Sequence, residues 1–97
     1  MTDSEINDLK LFLQKKIDIL VPKKFKWVKQ LKIVKINYNP PIFRDGGSLE
    51  ITLDSEFDHS LNLPEIPISK KVSTVSNFVR NLANAVEPNK SCYIYWV

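Results

Sequence analysis

With 97 residues, a hydrophobic fraction of 43% and a formal net charge of +3, the chain has the length and composition of one folded domain with a modest core. These values exclude a disordered chain, and the lone cysteine, Cys92, excludes a framework held by internal disulfides. A reducing compartment is therefore expected: the cytoplasm, or the host cytoplasm or the particle if the protein is viral. The first residues are polar and acidic, and no apolar run approaches the roughly 20 residues of a membrane span, so we expect neither a secretory signal nor a membrane association.

The first predicted element is a helix over about residues 4–20. Thr2 and Glu5 have the spacing of a capping box, in which each side chain accepts a hydrogen bond from the other residue's backbone N–H. Pro22 is expected to end the helix, because the residue before a proline, Val21, avoids the helical conformation. Apolar residues at three- and four-residue steps predict one buried stripe: Ile6, Leu9, Leu13, Ile17 and Leu20, widened by Leu11 and Phe12.

The next predicted element is a strand over about residues 31–38, in which Val34, Ile36 and Tyr38 alternate on the apolar face. The alternation slips near Gln30. The strand therefore either starts near residue 26 and contains a bulge, or it is preceded by a short helical turn over residues 26–30.

A hairpin turn over residues 45–47 is predicted from the Asp-Gly-Gly sequence, followed by a strand over about residues 49–57. A tight turn fixes which residues of the two strands pair. Acids of the second strand then lie opposite polar residues of the first strand. The predicted pairs are Tyr38 with Leu53, Ile36 with Ser55, Val34 with Phe57, Lys35 with Glu56 and Asn37 with Asp54. A turn moved by one residue would place Lys35 opposite Asp58, and a bulge at Pro40 and Pro41 would break the register.

A loop over residues 58–68 leads to a second predicted helix, about residues 69–86, which Pro88 follows. Its predicted buried stripe is Ile68, Val72, Val75, Val79, Leu82 and Val86. The last predicted strand, about residues 92–97, has no charged side chain, so we expect it to be central in the sheet, covered by a helix, or completed by another chain. The pattern predicts a single small α+β domain of order α-β-β-α-β, with two amphipathic helices packed on a small, mainly antiparallel sheet.

The sequence contains no catalytic constellation, no metal-binding motif and no cofactor-binding loop. Alternating Asp54 and Glu56 beside His59 suggest a metal site less well than they suggest the solvent face of a strand. Cys92 has no identifiable base near it in the sequence. We therefore expect a protein that is not an enzyme, with no catalytic or metal-binding residues, no cofactor and no small-molecule substrate.

Residues 15–35 contain eight lysines and one acid, Asp18, together with Phe25 and Trp27. Lysines interleaved with aromatic residues are typical of single-strand nucleic-acid binders, in which the cations neutralise phosphates and the rings stack on bases. Two features oppose this interpretation: residues 36–69 are rich in acids, and arginines are scarce. The candidate basic contact surface comprises Lys15, Lys16, Lys23, Lys24, Lys26, Trp27 and Lys29.

The interpretation we favour is a protein-interaction or structural subunit of a larger assembly. If the protein comes from a virus or a phage, this assembly would be a viral or phage-like one. Its partner would be another protein or a further copy of the chain. The uncharged C-terminal strand supplies the candidate protein interface, which comprises Tyr93, Tyr95, Trp96 and Val97. Nucleic-acid binding through the basic surface is the alternative.

Overall fold

Five elements occur in the predicted order in the computed structural model, which describes residues 1–42, 46–58 and 67–97. The predicted α+β class, as one small domain of order α-β-β-α-β, is confirmed. Most of the loop predicted over residues 58–68 lies outside the described residues. The elements are α1 (Asp3–Lys24), β1 (Val28–Asn39), β2 (Ser48–Phe57), α2 (Ile68–Val86) and β3 (Ser91–Trp96).

The start of α1 is the predicted capping box. Thr2 Oγ1 accepts from the Glu5 N–H at 3.1 Å, and Glu5 Oε1 accepts from the Thr2 N–H at 2.9 Å. Hydrogen bonding of the Glu5 carboxyl to the Thr2 backbone N–H, and secondly to the Thr2 side chain, lowers the pKa of this carboxyl. These bonds satisfy N–H groups that have no partner inside the helix.

The predicted end of α1 at Pro22 is wrong, because the helix continues through the proline to Lys24. Pro22 lies in the last turn, where a proline removes one backbone hydrogen bond and only two helical residues follow it. Continuing the helix buries Val21 and brings Phe25 into the core, and the Phe25 N–H donates to the Val21 carbonyl at 2.8 Å. Tertiary burial thus outweighs the local preference of the residue before proline.

The buried stripe of α1 is narrower than predicted. Leu9, Leu13, Ile17 and Val21 are buried, whereas Leu11 and Phe12 lie on the outer face of the helix. With 3.6 residues per turn, both positions are rotated away from the stripe, and the helix packs on β1 along one side only. The expectation that Leu11 and Phe12 widen the stripe is therefore wrong.

The stripe of α2 is also shorter than predicted, because Ile68 and Val86 at its two ends are exposed. Val75, Val79 and Ala83 are buried, and so is Lys71, whose ammonium lies 5.6 Å from the centre of the Trp27 ring. The buried positions therefore span only Lys71 to Ala83, the central turns of the helix.

The sheet has the order β1-β2-β3 and is mixed: β1 pairs with β2 antiparallel, and β2 pairs with β3 parallel. The central strand of the sheet is β2. The expectation that the uncharged C-terminal strand lies at the centre of the sheet is therefore wrong. The connection from β2 to β3 passes through α2, and a helical crossover returns the chain to the end of the sheet from which β2 started. That return makes β3 parallel to β2 and places it at the edge.

The predicted register between β1 and β2 is wrong by several residues. The observed pairs are Lys35 with Thr52, Ile36 with Ile51, Asn37 with Glu50 and Tyr38 with Leu49. The predicted Lys35–Glu56 and Asn37–Asp54 pairs therefore do not form. The chain between the two strands runs from residue 40 to residue 47, longer than a two-residue turn, and residues 43–45, including the predicted turn residue Asp45, lie outside the described residues. The connection is centred between residues 43 and 44, two residues earlier than the centre that the predicted pairs require, so the β2 partners of residues 35–38 are four residues earlier than predicted.

Two irregularities in the β1 ladder set which side chains face the core. The predicted slip near Gln30 is confirmed by a register shift between Val28 and Gln30, and residues 26 and 27 before it form a turn. A second shift, between Ile33 and Lys35, was not predicted. It lets Ile33 and the later Ile36 both point inward and leaves Val34 exposed, so the prediction that Val34 faces the core is wrong.

Gly46 and Gly47 join the start of β2 to the start of β3. Gly47 has a φ of +88°, and a Cβ on it would lie 2.4 Å from the Asn39 carbonyl oxygen. The Gly47 carbonyl accepts from the Ser91 N–H at 3.1 Å, and the Gly46 N–H donates to the Asn89 carbonyl at 2.9 Å. Glycine is required at position 47 because other residues rarely adopt this backbone conformation.

Both helices contribute to one core on one face of the sheet. The inward side chains of β2, Leu49, Ile51 and Leu53, are fully buried there. Alternation along the strand directs Glu50, Thr52 and Asp54 to the opposite face. In the described part of the chain, neither helix covers that opposite face, so the described residues form two layers with one open sheet surface.

Replacing Leu13 with alanine should destabilise the fold by about 3 kcal/mol, because the deletion leaves a cavity in the core. Leu13 is 0% exposed, whereas the control residue Leu11 is 62% exposed on the same helix. Leu11→Ala should cost less than about 0.5 kcal/mol. Urea unfolding followed by circular dichroism measures both changes, and equal costs would contradict the orientation of α1.

Candidate protein interface

The outer side of β3 carries backbone groups that β2 does not use. The N–H groups of Ser91 and Val97 donate to β2 or to the residue before it, at 3.1 and 2.9 Å. Because backbone groups of successive strand residues alternate in direction, those of Cys92, Ile94 and Trp96 point away from β2. The Cys92 carbonyl accepts from Arg80 Nε at 3.3 Å. The outward groups of Ile94 and Trp96 have no hydrogen-bond partner among the described residues.

Tyr93 and Tyr95 project from β3 onto the open face of the sheet. They lie beside Glu50 and Thr52 of β2 and are 52% and 50% exposed. Half-exposed tyrosines on an edge strand offer apolar area together with a hydroxyl, the combination enriched at protein interfaces. Exposed aromatic rings and unpaired backbone groups therefore occur on the same strand.

The four residues predicted for the interface do not share one environment. Tyr93 and Tyr95 lie on the open face, and Val97 is exposed at the end of the strand. Trp96 lies on the helix-covered face, where its Nε1–H donates to Ser76 Oγ at 2.8 Å. Trp96 therefore ties β3 to α2, and its side chain is not part of the open surface.

The opposite edge of the sheet, on β1, is occupied by side chains of α1. Gln14 Oε1 accepts from the Ile33 N–H at 2.8 Å, and Gln14 Nε2 donates to the Leu31 carbonyl at 3.0 Å. Further along the strand, Lys10 Nζ donates to the Val34 carbonyl at 3.2 Å. One glutamine amide thus takes the place of a neighbouring strand and blocks part of the edge. Sequence reasoning missed Gln14; the available signal was an uncharged polar residue adjoining the apolar stripe of the helix.

A groove of about 450 Å³ lies between α1 and β1. Gln14 sits in this groove and also donates to Asp18 Oδ1 at 2.9 Å. Lys29, on the groove wall, reaches Glu56 Oε1 at 3.5 Å. The principal polar side chains of the groove are therefore engaged with the protein itself, and they do not converge on a common point as ligand-binding groups do.

The predicted basic surface is only partly one surface. Lys15, Lys16, Lys23, Lys24 and Lys26 are exposed, and none of these lysines has an ion pair with a described residue. Lys29 differs, because it contacts Glu56 across the sheet; both side chains are more than half exposed, so this pair contributes little to stability.

Trp27 is packed into an aromatic cluster and does not stand free beside the lysines. Its ring centre lies 5.4 Å from that of Phe25 and 5.5 Å from that of Phe57, and the Lys71 ammonium lies over it. The apolar side chains that do accompany the exposed lysines are Phe12 and Ile19, on the outer face of α1. Sequence reasoning placed Phe12 in the core because its helical position adjoins the stripe.

Cys92 is buried at the start of β3, where its Sγ lies 3.9 Å from the Lys90 carbonyl oxygen. Burial raises the pKa of the thiol, and the nearby Arg80 opposes that rise only in part. A thiol held in its neutral form is a poor nucleophile. Within residues 1–42, 46–58 and 67–97, no group of three or more His, Cys, Asp or Glu side chains is placed to hold a metal ion, and His59 lies outside these ranges.

Comparison with protein-family models, with curated protein sequences and with solved structures finds no match for this chain. In the described part of the chain, neither helix combines the length and the apolar character needed to cross a membrane.

Gln14→Ala should lower the free energy of unfolding by about 1–2 kcal/mol, because it removes two hydrogen bonds to the β1 backbone. It should also expose that edge and increase aggregation at high concentration. The control is Lys15→Ala, at an exposed position on the same helix, which should change stability by less than about 0.5 kcal/mol. Chemical denaturation and light scattering measure the two effects. Equal stability of both variants would contradict the role of Gln14.

Proposed function

We propose that this protein is a non-enzymatic interaction subunit of a larger assembly, in which β3 accepts an extended strand from a protein partner. The observation that carries the proposal is an uncharged edge strand whose outward Ile94 and Trp96 backbone groups have no partner among the described residues. In strand addition, main-chain hydrogen bonds provide affinity and side-chain contacts provide specificity. Tyr93 and Tyr95 would provide those contacts. We propose the cytoplasm, or the host cytoplasm or particle, as its location.

The difference between the two sheet edges supports this proposal. Soluble proteins protect edge strands with charged side chains, prolines, bulges or covering elements, because an open edge pairs with other chains. The β1 edge has such protection from Gln14 and Lys10, and β1 also contains two register shifts. On β3, the only outward backbone group held by a described side chain is the Cys92 carbonyl, which Arg80 contacts. The edge with least protection is thus the edge with exposed tyrosines.

Affinity capture from the native cell lysate tests strand addition. The double variant Tyr93→Lys with Tyr95→Lys places two charges on β3 and should reduce recovery of the bound partner at least tenfold. The matched control, Asn37→Lys with Asn39→Lys, adds the same charge to the same open face at the other edge and should retain the partner. Equal recovery with both double variants would contradict docking at β3.

Nucleic-acid binding is the second candidate function, and the exposed lysines of α1 favour it. Lys15, Lys16 and Lys23 lie on the outer side of the helix without acidic partners among the described residues. Lys15 and Lys16 are within one turn of Phe12, and Lys23 is one turn after the exposed Ile19. Cations beside an exposed ring fit a phosphate backbone with a stacked base. Lys16 Nζ lies 5.6 Å from the Phe12 ring centre. The ammonium and the ring are therefore close enough to contact the phosphate and the base of one nucleotide.

Titration of a fluorescent single-stranded oligonucleotide at increasing salt tests this candidate. If the three lysines contact phosphates, replacing all of them with glutamine should reduce the slope of log affinity against log salt by about 2. The control replaces Lys32, Lys35 and Lys70 with glutamine, which removes three positive charges at other positions. This variant should retain most of the wild-type slope of log affinity against log salt. Absence of binding at low salt, or equal effects of both triple variants, would contradict nucleic-acid binding through α1.

A further inference from the structure

We propose that the strand which completes the β3 edge is β3 of a second copy of this chain, paired antiparallel about a twofold axis at Ile94. The two sheets would then form one continuous six-stranded sheet. This inference rests on the proposed function and names its partner. It follows from three features of the described residues: the direction of the outward backbone groups, the absence of charge on the strand, and the partly blocked edge of β1.

The backbone directions fix the register of the pair. Because Cys92, Ile94 and Trp96 direct their N–H and C=O groups outward, these residues must form the hydrogen-bonded pairs of an antiparallel ladder. Centring the ladder on Ile94 pairs Ile94 with Ile94 of the second copy and Cys92 with Trp96 of the second copy. The Cys92 carbonyl can accept this bond and keep the one from Arg80, since a carbonyl oxygen has two lone pairs.

The same register brings the exposed tyrosines together. Tyr93 lies opposite Tyr95 of the second copy in a non-hydrogen-bonded pair, the type in which side chains are closest. A twofold axis perpendicular to the sheet keeps both open faces on one side, so all four tyrosines lie on the same surface. Their rings, half exposed in the single chain, would cover one another.

The charge pattern favours a second copy of the chain as the partner. Residues 91–97 contain no charged side chain, so the strand meets its own sequence without repulsion. On the side of α2 next to this edge, the line Ser73, Asn77, Arg80 and Asn84 carries one charge, and Lys70 and Glu87 before and after it have opposite charges. The axis places the two Arg80 side chains about four strand residues apart, roughly 13 Å, which is beyond the screening length of about 10 Å at 0.1 M salt.

The occupied groups on the β1 edge direct the contact between copies to β3. A chain with two open edges would add further copies and grow into a fibre. Here Gln14 and Lys10 hold the Leu31 and Val34 carbonyls and the Ile33 N–H, so the middle of the β1 edge is occupied. The outward groups of Ile94 and Trp96 on β3 have no partner among the described residues, and a contact between them uses the same surface on both copies. Such a contact closes as a dimer with twofold symmetry.

The solution mass of the full chain across a concentration series tests the proposal, using sedimentation equilibrium. The wild type should approach twice the 11.2 kDa of one chain. Tyr93→Lys with Tyr95→Lys places lysine against lysine in both symmetric pairs and should weaken dimerisation at least tenfold. The matched variant Tyr93→Lys with Tyr95→Glu places lysine against glutamate in the same pairs and should recover most of that loss.

Amide hydrogen exchange of the wild type provides a test that needs no variant. On dilution, the outward amides of Ile94 and Trp96 should lose protection, while those of Tyr93 and Tyr95 should keep it because they are bonded to β2. Protection of Ile94 and Trp96 that does not change with concentration in a dimeric sample would overturn the β3 contact.

The remaining outcomes separate this inference from the proposed function. A wild type that is monomeric at all concentrations but still captures a partner through β3 would overturn the dimer and leave strand addition intact. A monomer that captures nothing would overturn both. A dimer weakened equally by the lysine–lysine and lysine–glutamate variants would overturn the register centred on Ile94, and with it the proposal.

Discussion

The burial of Leu49, Ile51 and Leu53 on the inner face of β2 is the constraint on which the rest of the structure depends. All three side chains are fully buried, and β2 alone pairs with both other strands. Helix α1 reaches the core mainly over β1, and α2 reaches it over β3. Removing apolar volume from β2 would therefore loosen both helices and both edge strands together, because the small core has no second layer to compensate.

Because β2 is central, β1 and β3 are the edge strands of the sheet. The two edges differ in how many of their outward backbone groups are bonded to helix side chains. Helix α1 lies close enough to β1 for Gln14 to bond to its backbone, so the helix both fills the core and blocks the edge. Helix α2 anchors β3 through Ser76 and Trp96 and reaches the outward backbone with Arg80. The outward groups of Ile94 and Trp96 remain without a hydrogen-bond partner among the described residues.

The sequence predicted the number, type and order of the elements because these depend on local patterns. Apolar residues at helical spacing, alternation in β2 and a capping box at Thr2 act over a few residues. The sequence could not predict the β1 register. That register depends on where the connection before β2 is centred and on the shift between Ile33 and Lys35, and either one alters which residues face one another. The charge pairing inferred for Lys35 was wrong for this reason.

By itself, the sequence determined that the chain folds as two helices and three strands, and that its last strand carries tyrosines and no charge. Only the tertiary structure decided that this strand lies at an edge, that Trp96 turns toward α2 while Tyr93 and Tyr95 face outward, and that Trp27 is enclosed by other rings. The physical reason is that local pattern fixes which side chains share a face. The neighbours of that face are set by long-range packing, which buries the most apolar surface around β2.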